Sequence, residues 1–150
     1  MDNNEVIAAV NGLVATCTRG RDKFRDAAEN IQNNEFRRLL NIFSQQRVQF
    51  ITELKAEVHR LRGDSVAEIE ETRDLPDNTV PFKRSTPAKS IVRDEAGIIA
   101  ECQREEETAV NDYQEALKAD LPLDVQYVVK RQYMDIKDAY DRIRILQRAA

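Results

Sequence analysis

Residues 63–89 read GDSVAEIEETRDLPDNTVPFKRSTPAK. Three of the chain's four prolines, Pro76, Pro81 and Pro87, fall in this stretch, among Ser, Thr, Asp and Asn. Proline lacks a backbone donor and clashes with the preceding helical turn, so no long helix continues through these residues. Ser65 and Glu68 have capping-box spacing, which predicts a short helix over 66–72. The remainder reads as a connection. Lys83, Arg84 and Lys89 make a small basic cluster within it, read as a solvated face.

On both sides the composition changes to long runs with apolar residues at helical spacing. Just upstream, Phe36, Leu40, Phe43, Phe50, Leu54, Val58 and Leu61 mark a helix over about 35–62. Asn34 suits its N-cap, and Gly63 suits a left-handed stop after Arg60 and Arg62. Further upstream, Val6, Val10, Leu13, Cys17, Phe24, Ala28 and Ile31 mark a helix over about 4–32, with Asn3 or Asn4 as its cap. Gly20 and Arg21 interrupt that stripe, so a kink or a close helix contact is expected there. Downstream, Ile91, Ile98, Cys102, Ala109, Tyr113 and Leu117 give a third helix over about 90–119. After the turn Asp120-Leu121-Pro122, a fourth over about 122–148 carries Val125, Val129, Ile136, Tyr140, Ile143 and Leu146.

Connection lengths then set the topology. Short links join helices one and two, and three and four, so each pair is antiparallel. The long 63–89 crossover can run the length of the bundle and lets the third helix run parallel to the second. Two hairpins and one long crossover form the connectivity of a ferritin-like four-helix bundle, all-α and expected as one domain over 1–150.

Composition narrows the function classes. Acidic and basic residues, 27 and 23 of 150, are mixed along the chain, unlike the clustered basic charge of a nucleic-acid surface. No apolar run approaches the roughly 20 residues of a membrane span, and the start of the chain lacks the basic region of a secretory signal. Cys17 and Cys102 fall on apolar stripes and read as reduced core residues of a cytoplasmic protein. A disulfide or a thiol switch is the alternative. There is no glycine-rich phosphate loop, no Gly-x-Ser-x-Gly elbow and no Cys-x-x-Cys.

Several runs resemble a known family. Leu121-Pro122-Leu123-Asp124-Val125, Arg131-Gln132-Tyr133 and Asp141-Arg142-Ile143-Arg144 are the most specific. Ser44-Gln45-Gln46-Arg47 and Ala27-Ala28-Glu29 fit as well. Together they are similar to a family of small bacterial ferritin-like proteins of unknown function. The resemblance implies a bacterial source and the ferritin-like fold, and no established activity. In the family pattern a His often stands where this chain has Tyr140, so no metal ligand transfers to that position.

Ferritin-like di-metal centres need one Glu from each of two helices and a Glu-x-x-His from each of the other two. This chain has one His, His59, and Ala56 stands three residues before it. The two required motifs are therefore missing, and His59 reads as an exposed residue near the bundle end. The stripes nevertheless break at mid-helix, at Gly20-Arg21, at Arg47, at Glu105-Glu106, and at Gln132 or Tyr133. One reading is a polar core layer of Arg47, Glu105, Glu106, Gln132 and Tyr133 that fixes helix register, Arg47 pairing with Glu106 or Glu105. The other is a degenerate carboxylate site of Glu29, Glu53, Glu101, Glu105 and Glu106 for a hard cation.

The favoured expectation is a non-enzymatic bundle with a structural, stress-related or interaction role and no cofactor. The alternative is a metal-dependent oxidoreductase or metal-storage protein using Fe or Mn. A third reading is a small-ligand cavity around Gly20, Cys17, Cys102 and Tyr133. A homodimer is expected from apolar residues off the main stripes, Ile42, Ile51, Val92 and Ile145, with neither nucleic acid nor membrane as partner.

Overall fold

The computed structural model describes residues 1–63 and 94–149. The expected short helix over 66–72, the cluster Lys83, Arg84 and Lys89, and Ile91 and Val92 lie outside the described residues. The helices are α1 (Asn3–Asn30), α2 (Asn34–Arg62), α3 (Glu95–Lys118) and α4 (Leu123–Ala149). Among the described residues, no helix is long and apolar enough to cross a membrane.

Each helix end has a local chemical cause, and several differ by a residue or more from the sequence expectation. Asp2, rather than Asn3 or Asn4, caps α1. Its carboxylate accepts from the Glu5 N–H at 2.9 Å, and the Glu5 carboxylate accepts from the Asp2 N–H at 3.0 Å. This is a complete capping box. Asn33, rather than Asn34, caps α2, its Oδ1 accepting from Glu35 N–H at 2.9 Å and Phe36 N–H at 3.1 Å. Asp94 is extended and accepts from the Gly97 N–H at 2.8 Å, so α3 begins at Glu95 instead of 90. Gly63 ends α2 at φ 92° and ψ 177°. That is a glycine-only extended conformation, not the left-handed helical stop expected.

The end of α1 has no basic residue in its last turn. A cation is supplied from the next helix instead. The Arg37 guanidinium donates to the Ala28 carbonyl at 3.0 Å and the Ile31 carbonyl at 2.8 Å. One side chain thus satisfies two carbonyls that helix termination would leave open, and it fixes the angle of the first hairpin.

Side-chain contacts establish the directions. Thr16 meets Asp112, Lys23 meets Glu101 and Asn33 meets Glu95, so α1 and α3 are antiparallel. Asn3 reaches the Leu61 carbonyl while Ser44 reaches that of Arg21, so α1 and α2 are antiparallel too. It follows that α2 and α3 run parallel, and Gly63 and Asp94 lie at opposite ends of the bundle. Helix neighbours are α1 with α2 and α3, and α4 with α2 and α3. This leaves α2 and α3 on one diagonal and α1 and α4 on the other.

Apolar residues fill the interior as two clusters. One includes Val10, Cys17, Phe50, Leu54, Tyr113 and Val129. The other includes Phe24, Leu40, Phe43, Ile99, Cys102 and Ile143. Between them lies the level at which all four stripes break.

Replacing Arg37 with Ala is expected to cost about 1 kcal/mol, the usual net worth of such bonds at a partly wet site. Thermal melts would read the loss, and amide exchange should quicken in the last turn of α1. Unchanged exchange there would show that the cap is idle.

Candidate functional site

Arg47 projects from mid-α2 into the space between the two clusters, and Glu106 meets it from α3. Both are essentially inaccessible, at 1% and 0% exposure. Arg47 Nη1 donates to Glu106 Oε1 at 3.0 Å, and Nη2 donates to Oε2. Two parallel bonds of this kind are the strongest form of the pair. It bridges the α2–α3 diagonal, which has no backbone approach of its own.

The surroundings are shaped for the guanidinium. Its carbon lies 5.1 Å from the Phe24 ring centre and 5.9 Å from that of Phe50, within reach of both π faces. A Cβ on Gly20 would sit 3.2 Å from Nη1. Gly20 therefore marks a close contact within a continuous α1 rather than a kink. Burial, reinforced against the pull of Arg47 by nearby Glu105, lifts the Glu106 carboxyl to about 7.

A second chain of polar contacts starts about two turns along α3, at Tyr113. The Tyr113 hydroxyl donates to Gln132 Oε1 at 2.7 Å and touches Cys17 Sγ at 3.1 Å. Gln132 Nε2 donates to Glu53 Oε1 at 2.9 Å and to the Phe50 carbonyl at 3.3 Å. Arg131 then donates to Glu53 at 3.1 Å from the rim. All four helices contribute. Partial burial pushes the Glu53 carboxyl up, but hydrogen bonds from Gln132, Gln49 and Arg131 outweigh it and hold the group below its ordinary value. Burial pushes the Cys17 thiol up to about 11 and raises the Tyr113 hydroxyl as well. Neither group is activated as a nucleophile at neutral pH.

Of the polar residues singled out in the sequence, Arg47, Glu106 and Gln132 lie buried at this level. Glu105 stands beside it, 3.7 Å from Arg19 on the α1 side. Tyr133 does not join them. It packs against the edge of the core from a half-buried position, and its hydroxyl accepts from Gln114 at 3.0 Å on the exposed flank of α3 and α4, because one residue of helix rotation sets it beside the layer. The carboxylates are also dispersed. Glu29 is exposed, Glu101 pairs with Lys23 at 3.5 Å, and Glu53 faces the α2–α4 seam. Among the described residues, no group of three or more His, Cys, Asp or Glu could hold a metal ion. The inward carboxylate, Glu106, is taken up by a cation of the chain itself, and Ala109 occupies the position where a paired His would stand. This donor set does not fit a ferritin-type di-metal centre. Arg47 fills the space beside Gly20, one of the four residues named for a small-ligand cavity.

Two partnerships escaped the sequence reading. Tyr113, read in the sequence only as a stripe residue, is fully buried together with its hydroxyl. A partial signal existed, since Gln132 already stood where the stripes break and Tyr113 lies on the facing stripe of the same antiparallel hairpin. The Cys17 contact had no such signal, because it joins helices whose order around the bundle a sequence does not state.

Glycine replacements should separate the close contact from ordinary helix propensity. Gly12 is exposed with nothing near its Cβ position, so Gly12→Ala should add about 1 kcal/mol. Gly20→Ala should forfeit that gain against Arg47, and equal gains at both positions in denaturant melts would refute the contact. The acids should separate by pH. Burial lifts the Glu106 carboxyl above its unfolded value, so its contribution to stability falls as pH rises from the unfolded value toward about 7. Glu53 behaves oppositely, its contribution being present above 4.5 and lost as pH falls through its lower folded value. Stability profiles of Glu106→Gln and Glu53→Gln against the parent chain should diverge in those two different windows.

The family model described as Domain of unknown function (DUF2383) matches residues 5–119, up to the C-cap just past α3. No curated protein matches the chain. Among solved structures, a two-domain protein from Anabaena variabilis containing DJ-1/ThiJ/PfpI-like and ferritin-like domains is similar, with a TM-score of 0.79 and 15% identity. The likeness covers 99% of this chain and 40% of that one, so the chain spans under half of that protein's length. Similarity at this identity speaks for the fold alone. The chain belongs to the family Domain of unknown function (DUF2383), and its fold is that of a ferritin-like four-helix bundle.

Proposed function

We propose that this chain is a non-enzymatic ferritin-like bundle, working as a structural, stress-related or interaction protein in a bacterial cytoplasm. A polar layer occupies the place in the core where related folds hold two metals. The observation that carries this reading is the two-point Arg47–Glu106 pair at the centre of the bundle. A guanidinium there repels a cation and satisfies the carboxylate a cation would need. The buried, raised Cys17 thiol and the raised Tyr113 hydroxyl support the absence of nucleophilic chemistry, and two buried cysteines outside any disulfide suit a reducing compartment. The alternative, an Fe or Mn oxidoreductase or storage protein, needs Glu29, Glu53, Glu101, Glu105 and Glu106 to converge, and they face different flanks.

The pair's role in this reading is to specify register. A buried ion pair adds little net stability over apolar replacements, but losing one partner strands the other. Mismatched helix registers would leave Arg47 without Glu106 and are disfavoured by that cost.

Loading the protein with Fe(II), Mn(II) and Zn(II) in turn, desalting, and counting metal per chain tests the first half. Well under one metal per chain is expected, and about two per chain would overturn the reading. Substitution tests the second half. Arg47→Met alone should cost about 3 kcal/mol at pH 8, whereas Arg47→Met with Glu106→Leu should regain most of it. The double variant should show broadened amide resonances, because register is no longer specified. Sharp, native-like spectra from it would remove the register role.

A further inference from the structure

The four most exposed large apolar side chains among the described residues all belong to α4. They are Leu123, Tyr127, Met134 and Ile145, at 80%, 68%, 65% and 60% exposure. Their intervals of four, seven and eleven residues each lie close to whole helical turns. They therefore fall within an arc of about 40°, a straight stripe along nearly the whole helix. It points roughly opposite to the buried face of Val125, Val129, Gln132, Ile136, Ala139 and Ile143. Among the described residues, no helix of the bundle covers it. Of the residues singled out earlier for a second apolar face, Ile145 belongs to this stripe, Ile51 packs against the core, and Ile42 lies on α2.

The stripe has a symmetry that selects its occupant. Met134 stands eleven residues from both Leu123 and Ile145. We propose that a second copy of this chain docks on α4, the two helices running antiparallel about a twofold axis at Met134. In that arrangement Met134 meets the partner's Met134, and Leu123 meets the partner's Ile145 at each end. A twofold contact requires this self-complementarity, and an unrelated partner does not.

The flanking charges obey the same operation. In an antiparallel pair, residues on one flank of the stripe face residues on the same flank of the partner helix. Arg131 then lies beside the partner's Asp138. On the other flank the partner's Asp141 falls between Lys130 and Tyr127, whose hydroxyl can donate to it. Lys130 and Asp141 are exposed, while half-exposed Arg131 already donates to Glu53 and exposed Asp138 lies 3.1 Å from Arg142, so these two would add the contact to a partner within their own chain. Lys137 lies farther round the helix. The interface leaves the Arg47–Glu106 layer untouched, and the inference stands whether or not the reading of the core is right.

Sedimentation equilibrium on the full chain at micromolar concentration is the test. Twice the chain mass of 17.3 kDa is expected for the parent protein. Met134→Glu sets two carboxylates face to face at the axis and should weaken the dimer by on the order of a hundredfold, with helical content unchanged since the site is exposed. Met134→Cys should form a reductant-sensitive disulfide between two chains on mild oxidation, because only a residue on the axis meets itself. Ile145→Cys should not bridge unless Leu123→Cys is also present. A monomeric parent chain would overturn the proposal and leave the stripe to a different domain or protein. A dimer that survives Met134→Glu, or that Met134→Cys fails to bridge, would overturn it by placing the interface elsewhere.

Discussion

A guanidinium taken out of water needs a partner held in place, and Arg47 imposes that need on the whole bundle. Glu106 must stand across the diagonal with both oxygens turned inward. Gly20 must lack a side chain where Nη1 approaches α1. Phe24 and Phe50 must offer ring faces above and below. Each demand falls on a different turn of the fold, so one buried cation ties three helices to a single vertical alignment. An apolar residue at position 47 would relax all of them at once.

The fourth helix enters through the neighbouring network. Gln132 takes a hydrogen bond from Tyr113 on α3 and gives bonds toward Glu53 and Phe50 on α2. The apolar clusters on either side supply most of the burial, yet apolar packing is permissive about register. Hydrogen bonds in a dry interior are not, because a slip of one turn leaves donors and acceptors unmade. The polar level thus divides the core into two apolar halves and indexes them against each other. It also takes up the inward carboxylate Glu106, which a di-metal centre in this fold would need.

The outside of α4 follows a different logic. Its inner face carries Gln132 and the aliphatic residues of the core, while its outer face carries four large apolar side chains that contribute nothing to the monomer's interior. A helix apolar on two opposite sides is usually a helix between two partners. Here one partner is the bundle itself, and the second copy proposed about Met134 would be the other.

The helices, their number and their pairing into two hairpins were legible in the chain, because apolar spacing and connection length are local properties. So was the mid-helix level at which each stripe breaks. Helix ends were legible only to within a few residues, since Asp2, Asn33 and Asp94 compete for capping with equally suitable neighbours until backbone geometry decides. The identity of the partners was not legible. Arg47 had two adjacent glutamates to choose from, and only the rotation of α3 turns Glu106 inward while leaving Glu105 toward Arg19. Tyr133 and Gln132 were equal candidates in sequence, separated by the angle that one residue adds to a helix. Arg37 capping α1, and Cys17 against Tyr113, depend on which helices are neighbours around the bundle. Sequence thus determined which residues would be inside and at what height; tertiary structure decided which of them face each other, because azimuth around a helix is fixed only when all four are packed together.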